Sequence, residues 1–377
     1  MINKLIYKYL RFKTSEKETA QLFEWINKSE KNKQTFIKLK QSWAINSNYK
    51  YEAKELAKVK KAVGFKTAEN YYQRTILKYA AVIILFLAIG GIVFNSIIKT
   101  QKPEINSFVT ISLEDGKNII IPENTINQVL NFNNSHKATL NDKKLEYSNK
   151  TTPNKYEMHT INVPFGKTFE VVLEDGTLVH LNSGSSLTYP SYFEEKSNRE
   201  VLLTGEAYFE VKQDFGRPFL VKTTSVEILV TGTKFNISAY GDDKITQASL
   251  LEGSINVINE NNRKKDTVNL SPGFGYKWDK ENQSSTIIEI LPSECISWME
   301  GELVFKDTDF KNLITKLERN YNISIEINYP FLEDQKFTGK FKTNELSIAD
   351  ILKIISIDTD FTFEINGKKI SINAPGL

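Results

Sequence analysis

The chain has 377 residues, enough for two or three domains, and its 40% hydrophobic and 25% charged content is that of foldable protein with no large disordered region. A net charge of +3 excludes a nucleic-acid-binding surface over the chain as a whole. Cys295 is the single cysteine, which excludes an intrachain disulfide, so any extracytoplasmic part must rest on its core alone.

Residues 1–75 read as helical. Ile2, Leu5, Ile6, Tyr9 and Leu10 recur at three- and four-residue spacing, and Ser15 with Glu18 forms a capping box before a second helix. That helix carries Leu22, Trp25 and Ile26 on one side; a third carries Phe36, Leu39 and Trp43, and a fourth lies within 52–63. These apolar positions either build a self-contained bundle or wrap a partner. Phosphate-loop, kinase and helix-turn-helix motifs are absent from this segment, which disfavours direct DNA binding.

The stretch from Tyr79 to Ile98 has no charge and sits between Lys78 and Lys99. Twenty residues at about 1.5 Å rise span roughly 30 Å, the thickness of a bilayer's hydrocarbon core. The spacing predicts a transmembrane helix over 76–98; the competing reading is a buried core helix. Lys60, Lys61, Lys66, Arg74 and Lys78 precede it, and only Lys99, Lys102 and Lys117 follow within twenty residues. That bias places the N-terminus in the cytoplasm.

Residues 99–158 are expected to be a linker with a first β segment, polar and Asn/Lys-rich from 131 onward. Over 159–290 short alternating runs are separated by Asp-Gly, Ser-Gly and Gly-Asp-Asp turns, which predicts an all-β sandwich or jelly roll. The runs include Phe169 to Leu173, Leu178 to Leu181, Val201 to Leu203, Tyr208 to Val211 and Phe235 to Ala239. Residues 297–377 change character to β-α-β-β-α-β-β, with helices at Asp309 to Tyr321 and Ser347 to Ile355 and a closing hairpin at Asn366-Gly367. The expected fold class is multi-domain: a helical segment, one transmembrane helix, a β sandwich or jelly roll, and a C-terminal α+β (βαββαββ) domain.

Specific motifs then carry a resemblance. VPFGKTFEVVLEDGTLVHLNSGSSLTYP from Val163, LTGEAYFEV, RPFLVKT, VTGTKFNISAY, SLLEGSINV and LSPGFGYKW resemble, in order, the FecR domain. WMEGELVFKDTDFKNLITKLERNYNI and FTGKF resemble that family's C-terminal module, itself similar to the short N-terminal signalling domain of TonB-dependent receptors and secretins. The two-module form is like that of Bacteroidetes. His180 stands where the family has Trp, and Thr231 where it has Leu.

The resemblance implies a single-pass inner-membrane anti-sigma factor, not an enzyme and without cofactor or metal. Its C-terminal region would be periplasmic. Its partners would be an extracytoplasmic-function sigma factor, an outer-membrane TonB-dependent transducer and site proteases, with sigma release following proteolysis. Leu22, Trp25, Ile26, Phe36, Leu39 and Trp43 become candidates for holding the sigma factor. Phe337, Thr338, Gly339 and Phe341 become candidates for the transducer, on a strand whose edge accepts another strand.

Some family members cut themselves at the bond matching Gly232-Thr233, where the threonine hydroxyl attacks the preceding carbonyl, its own amide nitrogen leaves, and water opens the resulting ester; the competing reading is a packing glycine in a strand. Glu206 is either a base or a partner within the β core. His136, His159 and His180 lack metal-ligand spacing. A rival function from another class is a periplasmic sensor that binds glycan or cell wall above an inert anchor.

Overall fold

The computed structural model describes residues 2–10, 14–46 and 107–375, except 124, 133–135, 148–156, 196, 262–263 and 334. The chain divides into two compact units, residues 1–105 and 106–377.

In the first unit α1 (Ile2–Leu10), α2 (Glu16–Asn27) and α3 (Glu30–Asn46) pack together, with Ile6, Leu22, Ile26 and Phe36 buried between them. The capping box at Ser15 is formed: its hydroxyl accepts from Glu18 N while the Glu18 carboxylate accepts from Ser15 N. Lys8 of α1 also binds Glu18 at 2.5 Å, and these bonds hold the carboxyl down at about 2. The expected fourth helix and the 76–98 span lie outside the described residues. Among the described residues no helix is long and apolar enough to cross a membrane.

The second unit is dominated by strands. They run β1 (Thr110–Leu113), β2 (Asn118–Ile120), β3 (Gln128–Phe132), β4 (His136–Asn141), β5 (Lys144–Tyr147), β6 (Met158–Asn162), β7 (Phe169–Val172), β8 (Leu178–Leu181) and β9 (Ser186–Pro190). The twelve-residue β10 (Arg199–Glu210) follows, then β11 (Phe219–Lys222), β12 (Glu227–Val230), β13 (Lys234–Ala239), β14 (Ile245–Glu252), β15 (Ile255–Asn261), β16 (Lys264–Leu270), β17 (Phe274–Asp279) and β18 (Ser284–Glu289).

These eighteen strands are one curled sheet, which corrects the expected sandwich or jelly roll. The join is β10. Its first half pairs with β9 and, in parallel, with β11; its second half pairs with β8 and β13. Gly205, at φ +98°, is where the strand bends from one set of partners to the other. The polar stretch from 131 also forms strands, because Ala138, Leu140, Leu145 and Tyr147 alternate inward onto the shared core.

After a short helix α4 (Pro292–Cys295) come β19 (Glu302–Asp309), α5 (Phe310–Tyr321), β20 (Ser324–Ile327), β21 (Lys336–Lys342), α6 (Ile348–Ser356), β22 (Thr362–Asn366) and β23 (Lys369–Asn373). They form a ribbon β19-β21 and a three-stranded sheet β20-β23-β22 with β23 in the centre. Two buried clusters result, one within the eighteen-stranded sheet module and one confined to the C-terminal module. The described chain is thus mostly β-sheet with few helices, which corrects the multi-domain fold class expected from sequence.

Candidate functional site

The two modules of the second unit meet through polar contacts, and these form its most elaborate constellation. Arg319, near the end of α5, is only 4% exposed. Its Nη2 donates to Asp242 Oδ1 at 2.7 Å and Asp243 Oδ1 at 2.6 Å, and its Nη1 to Asp243 Oδ2 at 3.0 Å. Its guanidinium lies 3.7 Å from the centre of the Tyr240 ring, a stacked cation–π arrangement. Burial pulls its proton affinity down, but the hydrogen bond and charge of Asp243 outweigh that and raise it.

The sheet module builds the receptor for this side chain from several loops. Lys280 Nζ donates to the carbonyls of Tyr240 and Asp243, fixing the 240–243 turn, and burial lowers its pKa. Tyr240 donates its hydroxyl to Ser183 O at 2.8 Å, and burial, with Glu206 nearby, pushes that phenol well up. Gly166, at φ +76°, donates its N–H to Arg319 O at 2.8 Å, and a Cβ there would lie 3.1 Å from Asn322 Cβ. The glycine of the FGKT motif is therefore set by the close approach of the C-terminal module.

A second contact runs through Glu206. Its two carboxylate oxygens accept from Asn182 Nδ2 at 2.8 Å and Asn236 Nδ2 at 2.9 Å. Asn236, so oriented, offers its Oδ1 to the indole N–H of Trp298 at 3.2 Å, on the connector to the C-terminal module. Glu206 is a partner within the β core and not a free base. Beside this contact lies a groove of about 630 Å³, with Phe108, Pro122 and Lys167 on one wall and Met299, Tyr321 and Asn344 on the other.

The residues singled out from sequence are distributed differently. Leu22, Ile26 and Phe36 point into the helical unit, Trp25 and Leu39 are half-buried, and Trp43 lies in α3. Phe337 and Phe341 face the C-terminal core; Gly339 is buried, and Thr338 Oγ1 accepts from Asp307 N. Among the described strands β21 pairs only with β19.

Gly232-Thr233 lies in the turn from β12 to β13, where Thr233 Oγ1 donates to Ser254 O at 3.0 Å and a Cβ on Gly232 would meet Gln213 at 2.9 Å. His159 is buried and shares a hydrogen bond with Tyr147, which bonds Tyr189 in turn; His180 faces Glu170 and burial lowers its pKa. His136 opens β4. Among the described residues no group of His, Cys, Asp and Glu is arranged to hold a metal. Sequence reasoning missed Arg319 and took Asp242 and Asp243 for a plain loop; their only signal was an arginine on a helix and an acidic pair in a turn.

A curled β module thus carries a small α/β module, and comparison gives each a family. The FecR protein model matches residues 159–256, and the FecR, C-terminal model matches residues 302–372. Two crystal structures of an assigned anti-sigma factor from Parabacteroides distasonis are similar to the chain, each at 28% identity and a TM-score of 0.54. The similarity spans 58% of this chain and 99% and 100% of theirs. No curated protein matches in sequence. Residues 159–256 thus carry a FecR domain and residues 302–372 a FecR C-terminal domain, and with the similar solved structures they support an anti-sigma factor of the FecR family.

Proposed function

We propose that the chain sequesters an extracytoplasmic-function sigma factor with its N-terminal helices and lets it go when a TonB-dependent transducer engages the C-terminal module. The observation that carries this reading is the joined pair of FecR and FecR C-terminal modules in a chain whose N-terminal helices form a separate compact unit. The uncharged stretch from Tyr79 to Ile98 and its basic N-terminal flank support an inner-membrane location, with residues 1–75 cytoplasmic and the second unit periplasmic. Site proteases complete the release, and the chemistry remains regulatory rather than enzymatic. The resemblance to two-module chains of Bacteroidetes supports a source in that group.

Full-length protein is expected to co-purify with the sigma factor encoded beside its gene. Trp25→Asp, on a half-buried position of α2, is expected to reduce the captured amount at least tenfold while Leu22, Ile26 and Phe36 keep the unit folded. Failure of the parent chain to capture any sigma factor of its host would sink the proposal. It would promote the ligand-sensing alternative, which the 630 Å³ groove favours.

Self-cleavage at Gly232-Thr233 belongs to the same proposal. Thr233→Ala is expected to abolish a cut that divides the chain into residues 1–232 and 233–377 on a denaturing gel. A single uncut band from the parent chain after prolonged incubation would exclude the reaction.

A further inference from the structure

The apolar clusters of the two modules are separate: one contains residues 109–276 and the other residues 303–372. Hydrogen bonds, an ion pair and two buried aromatic rings, Tyr240 and Trp298, cross the junction. Arg319 supplies three charge-assisted hydrogen bonds and a stacked face, Gly166 caps the Arg319 carbonyl, and Trp298 reaches Asn236. A joint made of a few directional bonds between separately cored bodies can open without unfolding either one. A merged core could not.

The latch is also asymmetric. Arg319 is buried, while the Asp242 side chain is 68% exposed, so the outer half of the ion pair faces solvent ions. Lys277 of the sheet module is held below the usual lysine range by burial and by Lys316 of α5, a like charge that works against closure. The groove takes one wall from each module, so it exists only while the joint is shut.

We propose that Arg319, Asp242, Asp243 and Tyr240 form a release latch, whose opening frees the C-terminal module from the sheet module and switches the protein to its signalling state. The regulatory sense of the latch rests on the anti-sigma reading; its mechanical sense does not.

The test uses the full chain in detergent with Cys295→Ser and spin labels at Phe215→Cys and Phe331→Cys, both on highly exposed positions, one in each module. The parent is expected to give one narrow label-to-label distance at low salt, broadening toward 1 M salt. Arg319→Met, and separately Asp242→Asn with Asp243→Asn on the opposite module, are expected to give the broad distribution already at low salt. A narrow, parental distance in both variants would overturn the latch.

In the host, either variant is expected to raise uninduced sigma-dependent reporter output at least fivefold. Broad distances with parental output, where deletion of the whole chain does change output, would overturn the regulatory sense. Deletion without any effect would sink the anti-sigma reading instead, and the distances alone then decide the latch.

Discussion

Arg199→Ala is expected to destabilise the second unit by about 3–5 kcal/mol, the usual cost of leaving one member of a buried ion pair without its partner. Arg199 is 1% exposed, and the Asp175 side chain that it binds at 2.6 Å is 4% exposed. The guanidinium also donates to the carbonyls of Arg217 and Lys212 and lies over the Phe219 ring. Asp175 in turn accepts from the Thr177 amide and hydroxyl. One side chain therefore ties the turn between β7 and β8 to the start of β10 and to the chain before β11.

A domain of this kind is stable by only about 5–15 kcal/mol, so the loss should appear as a large fall in the urea midpoint of the full chain. Removing both charges with Arg199→Met and Asp175→Leu should recover much of it, because no uncompensated charge is then left inside. A midpoint for Arg199→Ala corresponding to less than about 1 kcal/mol would show that water reaches the pair.

Gly205→Val should be comparably damaging, costing on the order of 3 kcal/mol or more and leaving little soluble protein. Two penalties coincide. At φ +98° a side chain strains the backbone, and its Cβ would lie 2.5 Å from Ser185 Oγ and 2.6 Å from Ser185 Cα. Ser185 has no room to retreat, because its hydroxyl accepts from Glu206 N and donates to Glu206 O. Gly176→Val separates the two causes. It has nearly the same φ of +84° and nothing within 4 Å, so it should show strain alone, about 1–2 kcal/mol. Equal losses at the two positions would mean that the contact with Ser185 carries no weight.

Much of this fold was legible because alternation and turn chemistry are local. Phe169, Val171, Val179 and Leu181 point inward at period two, and Gly176 closes the turn between their strands. The failures share a cause: partners far away in sequence. Val201 to Leu203 and Tyr208 to Val211 read as separate runs, yet residues 199–210 are one strand whose bend at Gly205 is held by β8, β9, β11 and β13. The polar stretch from 131 read as linker because its many Asn and Lys residues hide the alternate apolar ones that dock on the core.

The candidate site was less legible than the fold. Phe337 and Phe341 looked available for a partner, but an aromatic at period two does not announce which face is covered, and both point into the C-terminal core. Arg319 lies on the same helix as Leu313 and Leu317, and nothing in that helix says that Asp242 and Asp243, some 76 residues earlier, would bury it.

The pairing of β10 with β13 bears on what a nick in the backbone would achieve. Between Gly232 and Thr233 the two fragments would own β12 and β13 respectively, but β13 remains registered against β10 over six residues and β12 against β15 over three. The severed pieces would stay knitted together, each supplying strands that the other needs. Such a cut would turn a covalent tether into one that yields to pulling or to a protease, so that continuity of the chain would depend on strand pairing rather than on the peptide bond.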